Sequence, residues 1–312
     1  MKIFLHCLLA FGLCAFNNAW ADAGDQTVLR TFKYSPYPLT DKLASTFFDV
    51  NDNGRRGHNS PRGGLLWEDT TYSDNRVLLA MPQDFKGHRN PTLIIFLHGN
   101  QSILDRDVWE RQQVPTQVFA SNINAFLVAP QFAKDALDSN SGNFAEKKYF
   151  TKFIKEIAAQ ASEWQDNKRL DYQLKHAPII IVSYSGGYLA AANILEKGGI
   201  SDRVKGVILL DSLYGQEAVF AKWLRFNHRK SFFFSAYTKP AQASNELLQT
   251  MLREKSIKFE TGISTPEFLP KNSISFMQLD EEIIHKDLLT HAWNDEPLAD
   301  LLRKTKITKS TR

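Results

Sequence analysis

Apolar runs rich in β-branched and aromatic residues recur along this chain, separated by polar or helical stretches. Arg76 to Met81, Thr92 to Leu97, Asn124 to Val128, Ile179 to Val182, Val204 to Leu210, Ser231 to Tyr237 and Ile274 to Leu279 each read as a buried strand. Between them the spacing turns helical. Phe150, Phe153, Ile154, Ile157, Ala158, Ala161 and Trp164 fall on one face of a long amphipathic helix whose aromatic stripe is core. Asp105 to Ala120 suits a helix that Pro115 interrupts, and Leu298 to Arg303 suits a terminal one. Strands alternating with helices predict an α/β fold, a mostly parallel sheet with helices on both faces.

Before Arg76 the pattern is weaker. Asp22 to Asn75 is polar and turn-rich, with short strands expected at Phe47–Val50 and Gly64–Trp67 around an Asn/Gly/Arg loop. It reads as an N-terminal hairpin region (residues 22–75) packed on the main sheet. Asp49 to Gly54 imitates the start of a calcium loop, but Ser60 stands where the bidentate glutamate belongs, and Arg55 and Arg56 follow the glycine. A tight hairpin turn is the reading taken, and no metal or other cofactor is expected.

The first residues change the picture of where the chain works. Lys2 precedes an apolar run from Ile3 to Phe16, and Ala19-Trp20-Ala21 is a small-x-small cleavage site. Residues 1–21 therefore read as a secretory signal peptide, too short for a membrane span. Leu13 argues against acylation of Cys14, because a small residue belongs just before a lipidated cysteine. Removal of the signal takes away both cysteines, Cys7 and Cys14. The mature chain, residues 22–312, then has neither disulfide nor thiol nucleophile, in an exported, periplasmic or extracellular setting. Roughly 290 residues suffice for one large core and a single domain. The formal charge of +4 falls to +3 with the loss of Lys2. That is too mild for a nucleic-acid partner, and stable membrane insertion is not expected after cleavage. The partner expected is a small or acylated substrate.

The chemistry centres on Ile179-Ile180-Ile181-Val182-Ser183-Tyr184-Ser185-Gly186-Gly187-Tyr188. A buried strand meets a tight turn and passes directly into the apolar helix Leu189 to Leu195. This is the layout of a nucleophile elbow, which exposes a serine on a sharp strand-to-helix turn. The usual Gly-x-Ser-x-Gly has Ser183 in place of its first glycine. Centring the motif on Ser185 puts small residues, Ser183 and Gly187, two before and two after. Centring it on Ser183 would put bulky Ile181 there, so Ser185 is the candidate nucleophile. A serine nucleophile needs a base, an acid that orients the base, and oxyanion donors. Asp211, at the end of the strand Val204–Leu210, and His285, six positions beyond Leu279, supply the order Ser…Asp…His. His291 lies farther on, in a segment expected to be helical.

On these pieces the chain resembles the α/β-hydrolase superfamily from about Arg76 to Arg303, and in particular exported bacterial members of undefined substrate. The matching segments are Phe96-Leu97-His98-Gly99-Asn100, Ala129-Pro130-Gln131-Phe132-Ala133, the Ser-Tyr-Ser-Gly-Gly elbow, Leu210-Asp211-Ser212-Leu213-Tyr214-Gly215, and His285-Lys286-Asp287-Leu288 ahead of Ala292-Trp293. The resemblance implies a Ser–His–acid hydrolase acting on an ester, thioester or amide. It implies oxyanion donation by the backbone N–H groups of Asn100 and Gly186, with Gln101 an alternative to Asn100 and the His98 side chain structural. Asp211 departs from the commonest placement of the acid, which follows the next strand; no acid stands there until Glu246. The stretch 212–230 has room for one helix, carrying Phe220, Trp223, Leu224 and Phe226, in place of a large cap. The leading expectation is an exported carboxylesterase-like serine hydrolase. The alternatives are a peptidase or amidase on the same residues, and a non-catalytic binding protein of the same fold.

Overall fold

The computed structural model describes residues 26–305, so the signal-peptide reading lies outside the described residues. The strands in chain order are β1 (Gln26–Thr31), β2 (Val50–Asp52), β3 (Arg55–Ser60), β4 (Gly64–Trp67), β5 (Arg76–Met81), β6 (Thr92–Leu97), β7 (Ala125–Pro130), β8 (Ile179–Tyr184), β9 (Val204–Leu210), β10 (Phe232–Tyr237), β11 (Glu260–Gly262) and β12 (Ile274–Gln278). The helices are α1 (Asp41–Phe47), α2 (Glu68–Thr71), α3 (Val114–Ala120), α4 (Tyr149–Trp164), α5 (Lys168–His176), α6 (Tyr188–Lys197), α7 (Glu217–Asn227), α8 (Gln242–Glu254) and α9 (Pro297–Lys304).

The main sheet has nine strands in the order β1-β5-β7-β6-β8-β9-β10-β12-β11. β5 runs antiparallel to both of its neighbours, and every pair from β7 to β11 is parallel. Parallel strands buried on both faces read as unbroken apolar runs, which is why the centre of the sheet is legible in sequence. Successive side chains of β8 go to opposite sides. Ile179 and Ile181 join one core with Phe150, Phe153, Ile157 and Leu224, while Ile180 and Val182 join the other with Val108, Val118, Leu298 and Leu301. Each fully buried aliphatic side chain contributes about 1.5–3 kcal/mol relative to its exposed state.

Two expectations need correction. Asp105 to Ala120 is not one helix interrupted at Pro115. It is a π-helical turn, Leu104–Arg111, followed by α3. The break falls at Gln112 and Gln113, where Gln113 adopts a left-handed backbone, and Pro115 sits in the first turn of α3, where its missing N–H costs nothing. Phe47 is likewise not in a strand but ends α1, and the strand begins at Val50.

The N-terminal segment divides. β1 joins the edge of the main sheet, whereas β2, β3 and β4 form a separate three-stranded antiparallel sheet. The Asp49–Gly54 stretch makes the β2–β3 turn. Asn53 and Gly54 both have positive φ, and the Asn51 side chain accepts the Gly54 N–H at 2.8 Å. This small sheet leans on the chain leaving the carboxyl end of β7. Phe47, Phe48 and Leu66 pack with Tyr37, Tyr72, Ala133 and Ala136. Among the described residues, no helix is long and apolar enough to cross a membrane.

Candidate active site

The β8–α6 junction sets the position of Ser185. Ser185 has φ +53°, a left-handed conformation that a non-glycine residue keeps only where its surroundings impose it. A three-residue turn, Ser185–Gly187, leads directly into α6. The small residues are required by close approach. A Cβ on Gly187 would lie 2.5 Å from the Leu97 carbonyl of β6, and one on Gly99 would lie 2.6 Å from Ser185 Cβ. Ser183, which stands where a glycine is usual, is fully buried and uses its hydroxyl. Ser212 Oγ donates to the Ser185 carbonyl at 2.8 Å, so the 2.7 Å contact between Ser183 and Ser212 has Ser183 as donor. A two-hydroxyl relay thus ties the elbow to the loop after β9.

That loop carries Asp211, fully buried and also left-handed at φ +43°. Its carboxylate is held from several sides. His285 Nδ1 lies 2.6 Å from Oδ2; Oδ2 also accepts from Thr238 Oγ1 at 2.7 Å and Tyr214 OH at 2.9 Å, while Oδ1 accepts the Thr238 N–H at 2.9 Å. Burial pushes this carboxyl up, but the hydrogen bonds from His285 and Thr238 outweigh it and hold Asp211 below the usual carboxylate range. Thr238 occupies the place beyond β10 where the resemblance puts an acid; here it donates to the acid instead. Glu246 sits exposed on α8, where it accepts from Gln242.

His285 opens a short 3₁₀ turn, His285–Leu289, so the helical segment starts at the histidine itself and ends before His291. Its ring stacks on Tyr184, the last residue of β8, at 5.0 Å between centroids and 20° between planes. Tyr184 in turn donates to the His285 carbonyl at 3.3 Å. The histidine is therefore brought to the residue before Ser185, with its side chain 40% exposed. Among the described hydrogen bonds none joins His285 to Ser185 Oγ, a contact that commonly tightens only with substrate bound. His291 is elsewhere: its Nε2 pairs with Asp287 at 3.2 Å and its Nδ1 meets Thr290 Oγ1 at 2.8 Å.

The loop after β6 forms the other wall. His98 is buried, and burial pushes its imidazole down to about 4. Neutral His98 donates from Nδ1 to the Gly99 carbonyl at 2.7 Å and accepts the Phe132 N–H on Nε2 at 2.8 Å. Gln131, at the end of β7, accepts the Leu104 N–H and donates to the Ser102 carbonyl, both at 3.0 Å. Together they clamp residues 98–104. Asn100 Oδ1 accepts from Ser139 Oγ at 3.1 Å and lies against Gly186, where any Cβ would collide with it. Neither the Asn100 N–H nor the Gly186 N–H takes part in the loop and turn hydrogen bonds of the described residues. The Gln101 N–H is committed to the Ala136 carbonyl at 2.9 Å. Gln101, the alternative donor, is thus occupied.

Several site residues have no sequence signature of their own. Tyr214 and Ser212 lie within the segment that carries Asp211, but only the folded loop turns their hydroxyls onto the acid and the elbow. Ser139 stands in a loop that reads only as polar. The short stretch 212–230 yields one helix, α7, whose Phe220, Trp223 and Leu224 are core and whose Phe226 is exposed.

A mostly parallel sheet with helices on both faces, a serine on the strand-to-helix elbow and an acid and histidine following it in the chain define the α/β-hydrolase fold, here with a short insert in place of a large cap. No protein-family model matches the sequence, and no curated protein does. Among solved structures, a ferulic acid esterase is similar, with TM-score 0.48 and 15% identity over 85% of this chain and 94% of that one. A feruloyl esterase module from Clostridium thermocellum has TM-score 0.45 and 10% identity, over 86% of this chain and 97% of its own. An S-formylglutathione hydrolase from Agrobacterium tumefaciens has TM-score 0.42 and 13% identity, over 77% and 92%.

Proposed function

We propose that this chain is an exported serine hydrolase of carboxylesterase type, with Ser185 as nucleophile, His285 as base and Asp211 as the acid that orients it. The observation carrying this reading is the 2.6 Å contact of His285 Nδ1 with a fully buried Asp211, on a ring stacked against the residue that precedes Ser185. Asp211 fixes the tautomer, so Nε2 is the basic nitrogen. Nε2 takes the Ser185 Oγ proton as the oxygen attacks a carbonyl carbon. The oxyanion forms where the Asn100 and Gly186 N–H groups can donate to it. The imidazolium then protonates the leaving group, the carbonyl re-forms as an acyl-enzyme, and water activated by the same nitrogen releases the acid and frees the serine.

A panel of p-nitrophenyl esters, thioesters and matched anilides tests the reading. Turnover of the esters and thioesters, lost in His285→Ala and kept in His291→Ala, is the expected result. Hydrolysis of the anilides alone would make the chain an amidase on the same residues. Loss of turnover only in the His291 variant would move the base.

A further inference from the structure

The small sheet carries three arginines, and only two of them are accounted for. Arg55 is bonded to Asp69 at 2.9 Å and lies over the Trp67 ring at 4.4 Å. Arg56 is bonded to Glu68 at 2.6 Å and lies over Phe48 at 5.1 Å. Arg62, in the β3–β4 turn, is exposed and has no ion pair or hydrogen bond among the described residues. The nearby acid Asp138 already accepts from Tyr72 at 2.7 Å.

This turn is anchored beside the site. Ser60 Oγ donates to the Leu137 carbonyl at 3.0 Å, and a Cβ on Gly63 would lie 3.3 Å from that same oxygen. Two residues further on, Ser139 holds the Asn100 side chain over Gly186. Leu66 of β4 packs against the cluster of Tyr37, Tyr72, Ala133 and Ala136. Across the site stand Tyr188, the first residue of α6, and Tyr214, their rings 6.3 Å apart. Burial raises both phenols, and the positive charge of Arg62 acts on each in the opposite sense. The opposing charges there are Glu217 on α7, acting on Tyr188, and Asp211, acting on Tyr214 and already filled by its own donors.

The geometry points to Arg62 as a specificity residue that binds a carboxylate of the substrate, so that the enzyme acts on esters bearing a negative charge close to the scissile bond. The inference rests on the hydrolase reading above. A planar guanidinium with all its donors open is suited to a carboxylate, which it can take in a two-point contact. Tyr188 and Tyr214 supply an aromatic wall beside it, with the Tyr188 hydroxyl as a donor, since the Tyr214 hydroxyl is already given to Asp211. The charge can sit on either side of the ester, so both sides enter the test.

The experiment compares kcat/KM for mono-p-nitrophenyl glutarate, charged on the acyl side, and 4-acetoxybenzoate, charged on the leaving side, each against its neutral carboxamide analogue. In the native chain at least one anionic ester should be preferred, with a preference that shrinks as salt is raised. Arg62→Gln should lower that anionic-to-neutral ratio about 10- to 100-fold, and Arg62→Lys should restore part of it. Equal ratios on both sides in the native chain, or a preference that survives Arg62→Gln, would overturn the assignment. Absence of turnover of all four esters, together with no labelling of Ser185 by a fluorophosphonate, would instead bring down the hydrolase reading and this inference with it.

Discussion

Ser185 and Asp211 both take left-handed backbones, with φ of +53° and +43°, and both are locked there by partners that sequence reading does not reveal. Strain of this kind persists only where its surroundings over-determine it. Here those are the Ser183–Ser212 relay and the donors around the carboxylate. Asp211→Asn keeps the shape but presents an amide to the histidine, and turnover should fall about 10⁴-fold. Glu246→Gln, altering a residue on the outside of α8, should stay near wild type. An ester assay of the two variants checks both. His98 makes a different prediction. Its folded-state value of about 4 lies below the roughly 6.5 of an unfolded chain. Between those values the unfolded state binds a proton that the folded state refuses, so stability must fall as pH drops from about 6.5 towards 4. By pH 5 this one group should cost about 2 kcal/mol. NMR titration should find the His98 ring neutral to below pH 5, and urea unfolding at pH 7 and 5 should show the loss. An imidazole titrating near 6.5 would contradict the buried acceptor role of Nε2.

At the scale of elements, what was legible is what repeats. β6, β8 and β9 are visible because a parallel strand buried on both faces must be apolar throughout. The elbow is visible because the β-branched run, the small residues and the helix stand next to one another in the chain. Edge elements escape this logic. β1 pairs only along one side, half-buried, and mixes Gln26, Thr27 and Arg30 with Val28 and Leu29; β11 is a short, exposed strand. The π-helical turn and α3 escape because a proline in a helical pattern marks equally well an interruption or a beginning. The contact of α6 with the sheet gives a direct test. In Gly187→Ala the new methyl meets the Leu97 carbonyl, a backbone atom that cannot swing aside. The variant should lose about 1–3 kcal/mol in urea unfolding and displace Ser185 enough to slow turnover.

Across the whole molecule, the chain order Ser185, Asp211, His285 was readable, and the meeting of the last two is the fold's doing, since β9 and β10 bring Asp211 and Thr238 side by side before the chain returns through β12. The role of the small sheet was not readable. Its residues form a hairpin pattern with no catalytic signature, and its position depends on contacts with Ala133, Ala136 and Leu137, far away in sequence. Export is proposed from the leader. The mature N-terminus should be Asp22, and N-terminal sequencing of the protein recovered from outside the cytoplasm checks it; a retained leader or a lipidated Cys14 would contradict it. The central claim is that Ser185 is a nucleophile activated by His285. It is tested most directly by incubating the native chain and Ser185→Ala with a fluorophosphonate and mapping the adduct by mass spectrometry. The account predicts one adduct per native chain, on the peptide containing Ser185, and none on the variant. An unlabelled native chain, or a Ser185→Ala variant labelled as fully as the native one, would contradict it.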